Sequence, residues 1–431
     1  MKGMVGAMVL VTLLWVAACE RLTQPRLGSE ALALQELSTL VTETYLKLEG
    51  IERFPRGTLK LYRNGKALWE RPLTLADTVL YDSTLQPAQR YTYRAELWAG
   101  NRQLAQSAPV TVTTMDTTSH NFEWEVIEFP SPYGSGALYD VAIINENNIW
   151  AVGEIYSDSA QPWLPYNAVH WDGEKWELKR IQFRYFCNQP ETFPAPASSV
   201  IAFGPKDVFI AAGSQLAHWN GEKQDGLECI PVSVNKMWGT DKNNIYAVGA
   251  IGKIAHYDGR RWRRIESGTD QYLQDIWGVV DQKTGQPIVY IAASHRLGYG
   301  EKKIIRIKEK SEIDSVFWPF DRVVMSIWAA KPYQIFTCGE GIFRLSIEKS
   351  WKEIGGSNVI PAFTEKIRGQ AENDIFVVGH YGVVAHFNGL NFRVYPELAV
   401  AQYRSCDYQK NLMVGVGMRS SRVVILKMWR R

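Results

Sequence analysis

The 431-residue sequence is short of net charge, of cysteine and of long apolar runs. Lys and Arg number 48 against 45 Asp and Glu, so the formal charge is only +3, which excludes the strongly basic balance of a dedicated nucleic-acid binder. It has no Gly-rich phosphate loop, no HExxH and no nucleophile elbow, so the commonest motif-borne chemistries find no foothold. Beyond the N-terminus no segment is apolar enough to enter a membrane. What is present is ordinary folded-protein stock, 46% hydrophobic and 22% charged, which excludes wholesale disorder. Aromatics are plentiful, with 16 Trp and 20 Tyr, and point towards β architecture.

Lys2 provides a small positive start, and Met4 to Trp15 form the one apolar run. It is shorter than the roughly 20 helical residues that span a bilayer, and so reads as a signal peptide. The run ends Val16-Ala17-Ala18-Cys19, which resembles the lipobox of bacterial lipoproteins. That resemblance implies a cleaved leader over residues 1–18, a diacylglyceryl thioether on Cys19, and a further acyl chain such as palmitate on its amine. Two or more chains anchor stably where one does not. Residues 19–34, polar with Pro25 and Gly28, then read as a lipidated tether. The implied address is the bacterial cell envelope, anchored at the outer membrane, with its face left open.

Four further cysteines are Cys187, Cys229, Cys338 and Cys406. Disulfides persist in exported proteins. Cys187 and Cys229 fall in neighbouring units of the repeat described below and are a candidate pair, although four cysteines allow three connectivities. Cys338 sits inside an apolar run and reads as a buried thiol.

Residues 35–114 alternate in strands. Thr58-Leu-Lys-Leu-Tyr62 and Ala67-Leu-Trp-Glu-Arg71 flank Asn64-Gly65, a strong hairpin signal. Leu85, Pro87 and Tyr91 match the Leu-x-Pro-x-x-x-Tyr corner, so this segment resembles a fibronectin type III domain. The resemblance implies a small β-sandwich serving as a spacer. Residues 115–121, rich in Thr and Ser, read as a linker.

From 122 to 431 the chain repeats itself. An apolar strand closing in small-apolar-Gly appears as Ile149-Trp-Ala-Val-Gly153, Val208-Phe-Ile-Ala-Ala-Gly213, Ile245-Tyr-Ala-Val-Gly249, Ile335-Phe-Thr-Cys-Gly339 and Ile375-Phe-Val-Val-Gly379, with weaker copies at Ile288–Ala293 and Met413–Gly417. Before it runs another apolar strand, often Trp-Gly as in Trp238-Gly239 and Trp277-Gly278. After it come His-aromatic-Asp/Asn-Gly, led by His170, His218, His256 and His386, and then a strand opening on Trp176, Trp262, Trp351 or Phe392. Four strands per repeat make one propeller blade. The 310 residues divided by seven give about 44 each, the mean spacing of the copies, so seven blades are expected, with six or eight as alternatives. The last copy lacks a fourth strand, and Trp124 to Ile127 is an orphan that can supply it by pairing around Val423 to Leu426. The phrase resembles bacterial BNR-repeat and photosystem-assembly-factor-like propellers. The BNR signature is altered here, with Asp172 and Asp258 directly before Gly, and no catalytic residue transfers.

Each repeated His occupies the same place in a different blade, so the four are held apart and read as structural rather than as metal ligands. The long connections are Glu154–Tyr166, Gln182–Ser198 and Ser294–Lys302, all expected on one face, where function concentrates. They carry Tyr156, Trp163, Tyr166, Tyr185, Phe186 and Tyr299 as candidate partner contacts. Glu154, His295, Glu340 and His380 form a candidate polar cluster on the same face. The sequence thus reads as an all-β, lipid-anchored binding scaffold for a protein or glycan partner, without nucleic acid, metal or cofactor. A polysaccharide-acting propeller enzyme, glycosidase or lyase, is the alternative.

Overall fold

The computed structural model describes residues 32–54, 56–74, 76–308, 312–398 and 401–431. Cys19 and most of the tether lie outside them. Among the described residues no helix is long and apolar enough to cross a membrane. The chain divides into two compact units. One comprises residues up to Glu36 with Leu46–Leu80 and Tyr91–Val112. The other gathers Leu37–Tyr45 and Tyr81–Arg90 with Thr113–Arg431.

The N-terminal strands form two sheets. Ala33–Thr39, Thr44–Glu49 and Val79–Asp82 make one, and Lys66–Pro72, Thr58–Arg63, Arg90–Ala99 and Arg102–Gln106 the other, with Val110–Thr113 also paired to Arg90–Ala99. Asn64 and Gly65 both take positive φ, 50° and 78°, the turn that matches strand twist and needs those residue types. Alternation sends Leu59, Leu61, Tyr93, Ala95 and Leu97 fully inside. Tyr93 is the buried tyrosine of this strand, whereas Tyr91 of the corner motif is half-buried, with the Arg63 guanidinium 5.6 Å from its ring centroid.

Beyond them lies a seven-bladed β-propeller. Blade 1 is built from Ala137–Asn145, Asn148–Ile155, Tyr166–Trp171 and Trp176–Lys179, in that order from the axis outward. Five more four-stranded sheets follow, with first strands Ser199–Gly204, Val234–Asp241, Leu273–Val280, Val324–Lys331 and Thr364–Ala371. Blade 7 takes Gln402–Gln409, Leu412–Arg419 and Arg422–Arg430, and its outer strand is Phe122–Pro130. Nine residue pairs, from Arg422↔Pro130 to Arg430↔Phe122, close the ring and include Ile425↔Ile127. That is the closure the orphan strand predicted, and it removes two open sheet edges.

Two devices explain the repeated phrase. An aromatic ring in one first strand lies flat against a glycine in the next. A Cβ on Gly278 would stand 2.4 Å from Trp238, and one on Gly369 would stand 3.0 Å from Trp328. The Trp-Gly pairing is therefore a contact between blades rather than within one. The Asp-Gly and Asn-Gly dipeptides sit in four-residue hairpin loops, since Trp171 pairs with Trp176. The Asp172 carboxylate accepts the Glu174 and Lys175 backbone N–H groups, both at 2.9 Å, while Gly173 takes φ 99°.

The repeated histidines are structural. Each stacks on the aromatic beside it on the second strand, as His170 on Trp150 at 4.4 Å and His256 on Tyr246 at 4.1 Å between centroids. Three also bond the first residue of that strand or its neighbour, His170 to Asn148, His256 to Asn244 and His386 to Asp374. The segment 115–121, read as a linker, lies along blade 6. Asn373 Nδ2 donates to the Asp116 carbonyl at 2.7 Å, Tyr395 OH donates to the His120 carbonyl at 2.8 Å, and His120 Nδ1 meets His386 Nδ1 at 2.7 Å.

Gly278→Ala should test the stacking. Adding a methyl under the Trp238 ring is expected to cost about 1–3 kcal/mol in chemical denaturation. An unchanged midpoint would mean the ring is not held where the structure places it.

Candidate functional site

First strands of successive blades touch one another around the axis, with blade 7 against blade 1. One position in each is a buried polar residue followed directly by an apolar one. In blade order the residues are Asp140, Ser199, Lys236, Asp275, Ser326, Lys366 and Ser405, and all seven are buried. The order is Asp-Ser-Lys twice, then Ser. Asp140 accepts from Ser199 Oγ and Val200 N at 2.9 Å, from Ser405 Oγ at 3.0 Å, and from the Lys236 ammonium. Asp275 does likewise with Ser326, Ile327 N and Lys366 Nζ, and Arg368 grips it through two N–H···O bonds of 2.9 Å. Burial alone would raise both carboxyls. The Lys236 and Lys366 charges outweigh it at Asp140, and the Arg368 and Lys366 charges at Asp275, so both stay below the usual carboxylate range. Asp407, held by the Ile143 N–H at 2.8 Å, is instead pushed up by burial.

Immediately before this ring, six of the seven first strands carry a register shift, as between Leu138 and Asp140 or Thr364 and Lys366. The extra residue breaks the alternation and re-aims a side chain. Those residues are Tyr139, Asn235, Gln274, Met325, Glu365 and Arg404. They stand at the end of the strands where blade-to-blade and second-to-third-strand connections emerge, the loop face. Here Glu365, buried, meets the Arg296 guanidinium and His380 Nε2, the latter at 2.5 Å, and Arg296 also reaches His380 at 2.8 Å. Arg296 thus crosses from a blade 4 connection to blade 6.

The structure separates the expected polar cluster. Glu154 accepts from Tyr139 and Tyr156 hydroxyls at 2.5 and 2.7 Å. Glu340 accepts the Val323 N–H at 2.9 Å. His295 accepts the Leu297 N–H at 3.2 Å, between the Tyr272 and Tyr299 rings. His380 alone joins the Glu365 site. No two of the four bond each other, and among the described residues no His, Cys, Asp and Glu group is arranged to hold a metal.

The candidate aromatics sort into two kinds. Tyr156 lies against Gly134 and Tyr166 stacks with Arg180 at 4.3 Å, so both serve the fold. Trp163, Phe186 and Tyr299 are 69%, 64% and 68% exposed, and Tyr185 stacks on Phe193 at 4.4 Å with its other face open. Cys187 and Cys229 are bonded, with Cα atoms 5.9 Å apart, which pins the connection bearing Tyr185 and Phe186 to blade 2. Cys338 and Cys406 are buried thiols.

Exposed large apolar side chains are strongly one-sided. On the loop face stand Tyr133, Tyr139, Trp163, Tyr185, Phe186, Ile251, Tyr272, Leu297, Tyr299, Phe317, Val359 and Tyr381. Among the described residues the opposite turns show only Val280, Tyr333 and Leu390, and the outer strand Trp124 and Val126. Tyr381, 84% exposed, sits at φ 53° and borders a hollow of about 510 Å³ with His380, Gln402 and Arg419.

Comparison with known proteins confirms the fold. No family model matches the chain, and no curated protein does. Among solved structures, "YCF48 bound to D1 peptide" superposes with a TM-score of 0.52 at 11% identity, over 72% of this chain and 95% of that one. A catalytically inactive virginiamycin B lyase from Staphylococcus aureus with quinupristin gives 0.52 at 10% identity, over 72% and 100%. The WD40 propeller domain of Doa1 gives 0.50 at 11% identity, over 72% and 97%.

The axial network predicts its own acid sensitivity. A carboxyl held below its unfolded value contributes stability above about pH 4, which is lost as pH falls through the folded value. Asp275→Asn leaves Lys366 and Arg368 buried without their counter-charge and is expected to cost about 3–5 kcal/mol at pH 7. Between pH 5 and pH 2 the variant should lose less further stability than the parent. Equal acid slopes in denaturation would remove Asp275 from the account.

Proposed function

We propose that this chain is a lipid-anchored bacterial envelope protein whose propeller serves as a scaffold, holding a protein partner against its loop face. The observation that carries this is the one-sidedness of the exposed apolar side chains. Exposed apolar side chains gathered on one face of a rigid ring favour an interaction site there, and aromatic anchors dominate such sites. The disulfide at Cys187 and Cys229 supports the reading, since it pre-orders the connection that presents Tyr185 and Phe186 and lowers the cost of binding. A neighbour of the same fold bound to a peptide agrees with it. The anchor rests on the Val16-Ala17-Ala18-Cys19 motif, and the N-terminal strands, ordered in a three-stranded and a larger sheet, support a fibronectin-like spacer between tether and propeller. Glycosidase or lyase chemistry is disfavoured at the axis, because Asp140 and Asp275 are buried and ion-paired and offer no free acid and base.

Two measurements test this. Cys19→Ala should release the protein from the membrane fraction, and mass spectrometry of an unmodified Cys19 in native material would end the anchor. Trp163→Ala should weaken a partner recovered from native membranes by about 2 kcal/mol, roughly thirtyfold, whereas Lys206→Ala on the opposite turns should not. The reverse pattern would move the site to the other face.

A further inference from the structure

The seam where blade 7 meets blade 1 opens, on the face opposite the long connections, into a groove of about 940 Å³. Blade 7 contributes Lys427, Trp429 and Asn411, and blade 1 contributes Trp171, Asn145 and Asn147. This volume lies within the range of small-molecule sites, roughly 300–1,000 Å³. The groove takes no part in the loop face or the axial ring.

Its chemistry is specific. Asn145 Oδ1 accepts the Asn147 N–H and Asn411 Oδ1 accepts Arg430 Nη1, both at 2.9 Å. Each acceptor end is thus committed to the fold by a partner that can only donate, which fixes the amide orientation. The Nδ2 ends have no partner among the described residues. Lys427 lies 4.4 Å over the Trp171 ring and is paired with no carboxylate among the described residues, although Glu125 and Glu146 stand near enough to be felt. Both indoles are half-buried, with their N–H groups tied back, Trp171 to the Glu146 carbonyl at 3.0 Å and Trp429 to Glu123 at 3.1 Å. The N–H groups are therefore not free donors, and with Lys427 over Trp171 the indole left to pack on a ligand is Trp429.

We propose that this groove is a carbohydrate site that takes a short oligosaccharide. A pyranose ring presents a C–H face that packs on an indole, and a rim of hydroxyls. The amide and ammonium donors serve those hydroxyls as acceptors, and the Glu125 and Glu146 carboxylates serve them as donors. A protein partner would seek large apolar anchors, which this groove does not expose.

The test uses the intact protein with triacetylchitotriose, cellotriose and trigalacturonate, read by saturation-transfer NMR and calorimetry. At least one sugar should bind at millimolar or lower concentration, and the three arms separate N-acetylated, neutral and acidic rings. The double change Asn145→Asp and Asn411→Asp keeps both structural acceptors, removes the free donors, and should weaken binding at least about tenfold. Lys427→Met, which removes the ammonium donor, gives the same comparison if the double variant does not fold. Trp163→Ala should leave sugar affinity unchanged, so failure of the scaffold reading and failure of this one look different. No binding by any of the three sugars, or unaltered affinity in a folded groove variant, would overturn the proposal.

Discussion

Seven strands converging on one axis leave a core that must be filled and, once filled with charge, balanced. Asp140 and Asp275, the two carboxylates of the axial ring, are answered from other blades: a serine hydroxyl and a backbone N–H from the next blade, and a cation from two blades on. Buried ion pairs add little net stability against apolar packing, but half of one is costly to leave behind. The Asp-Ser-Lys order therefore distinguishes blades that are otherwise interchangeable repeats. Moving a blade by one position would set like charges together, and Ser405 spoils even the three-blade match.

The register shifts beside this ring tie the axis to the surface. Without them, successive side chains would alternate between the two surfaces of each blade. With them, Lys366 enters the axial network while Glu365, its neighbour, turns to Arg296 and His380 at the loop face. A stiff, fully paired centre thereby carries a polar rim, and around that rim the exposed aromatics stand on connections held by a disulfide and by stacking.

Much of the propeller was legible because repetition amplifies weak signals: Trp-Gly, His-aromatic and small-apolar-Gly recur at one spacing, and the missing fourth strand announced its own substitute at Trp124. The axial ring was not legible, since a lone Asp or Lys inside an apolar strand looks like noise until the copies are aligned across their extra residue. Glu365 was hidden for the same reason. The length of the Asp-Gly turns was not legible, because the Asp side chain, by accepting two backbone N–H groups, supports a longer loop than the dipeptide alone implies. Aromatics on long connections could be located but not sorted. Whether Tyr156 packs or Trp163 protrudes depends on where each loop finds a glycine or an arginine to rest on. Asn145 and Asn411 stand at short turns, and the role proposed for their amides needs both blades in place.

The closing strand also decides how the ring responds to load. A pull that reaches residues 115–121 is passed on to Phe122, the end of the strand paired with Arg430. Tension across the strand would unzip the nine pairs one after another, the weaker geometry, whereas tension along it would load them together. The contacts just ahead of that point act as a strain relief: Asp116 and His120 fastened to blade 6, Glu123 held by Trp429 and Arg431, and Arg430 bound to Asp374. Force must detach this clasp before it reaches the seam, so the lifetime of the closed ring under tension is set by a handful of side chains at its entrance.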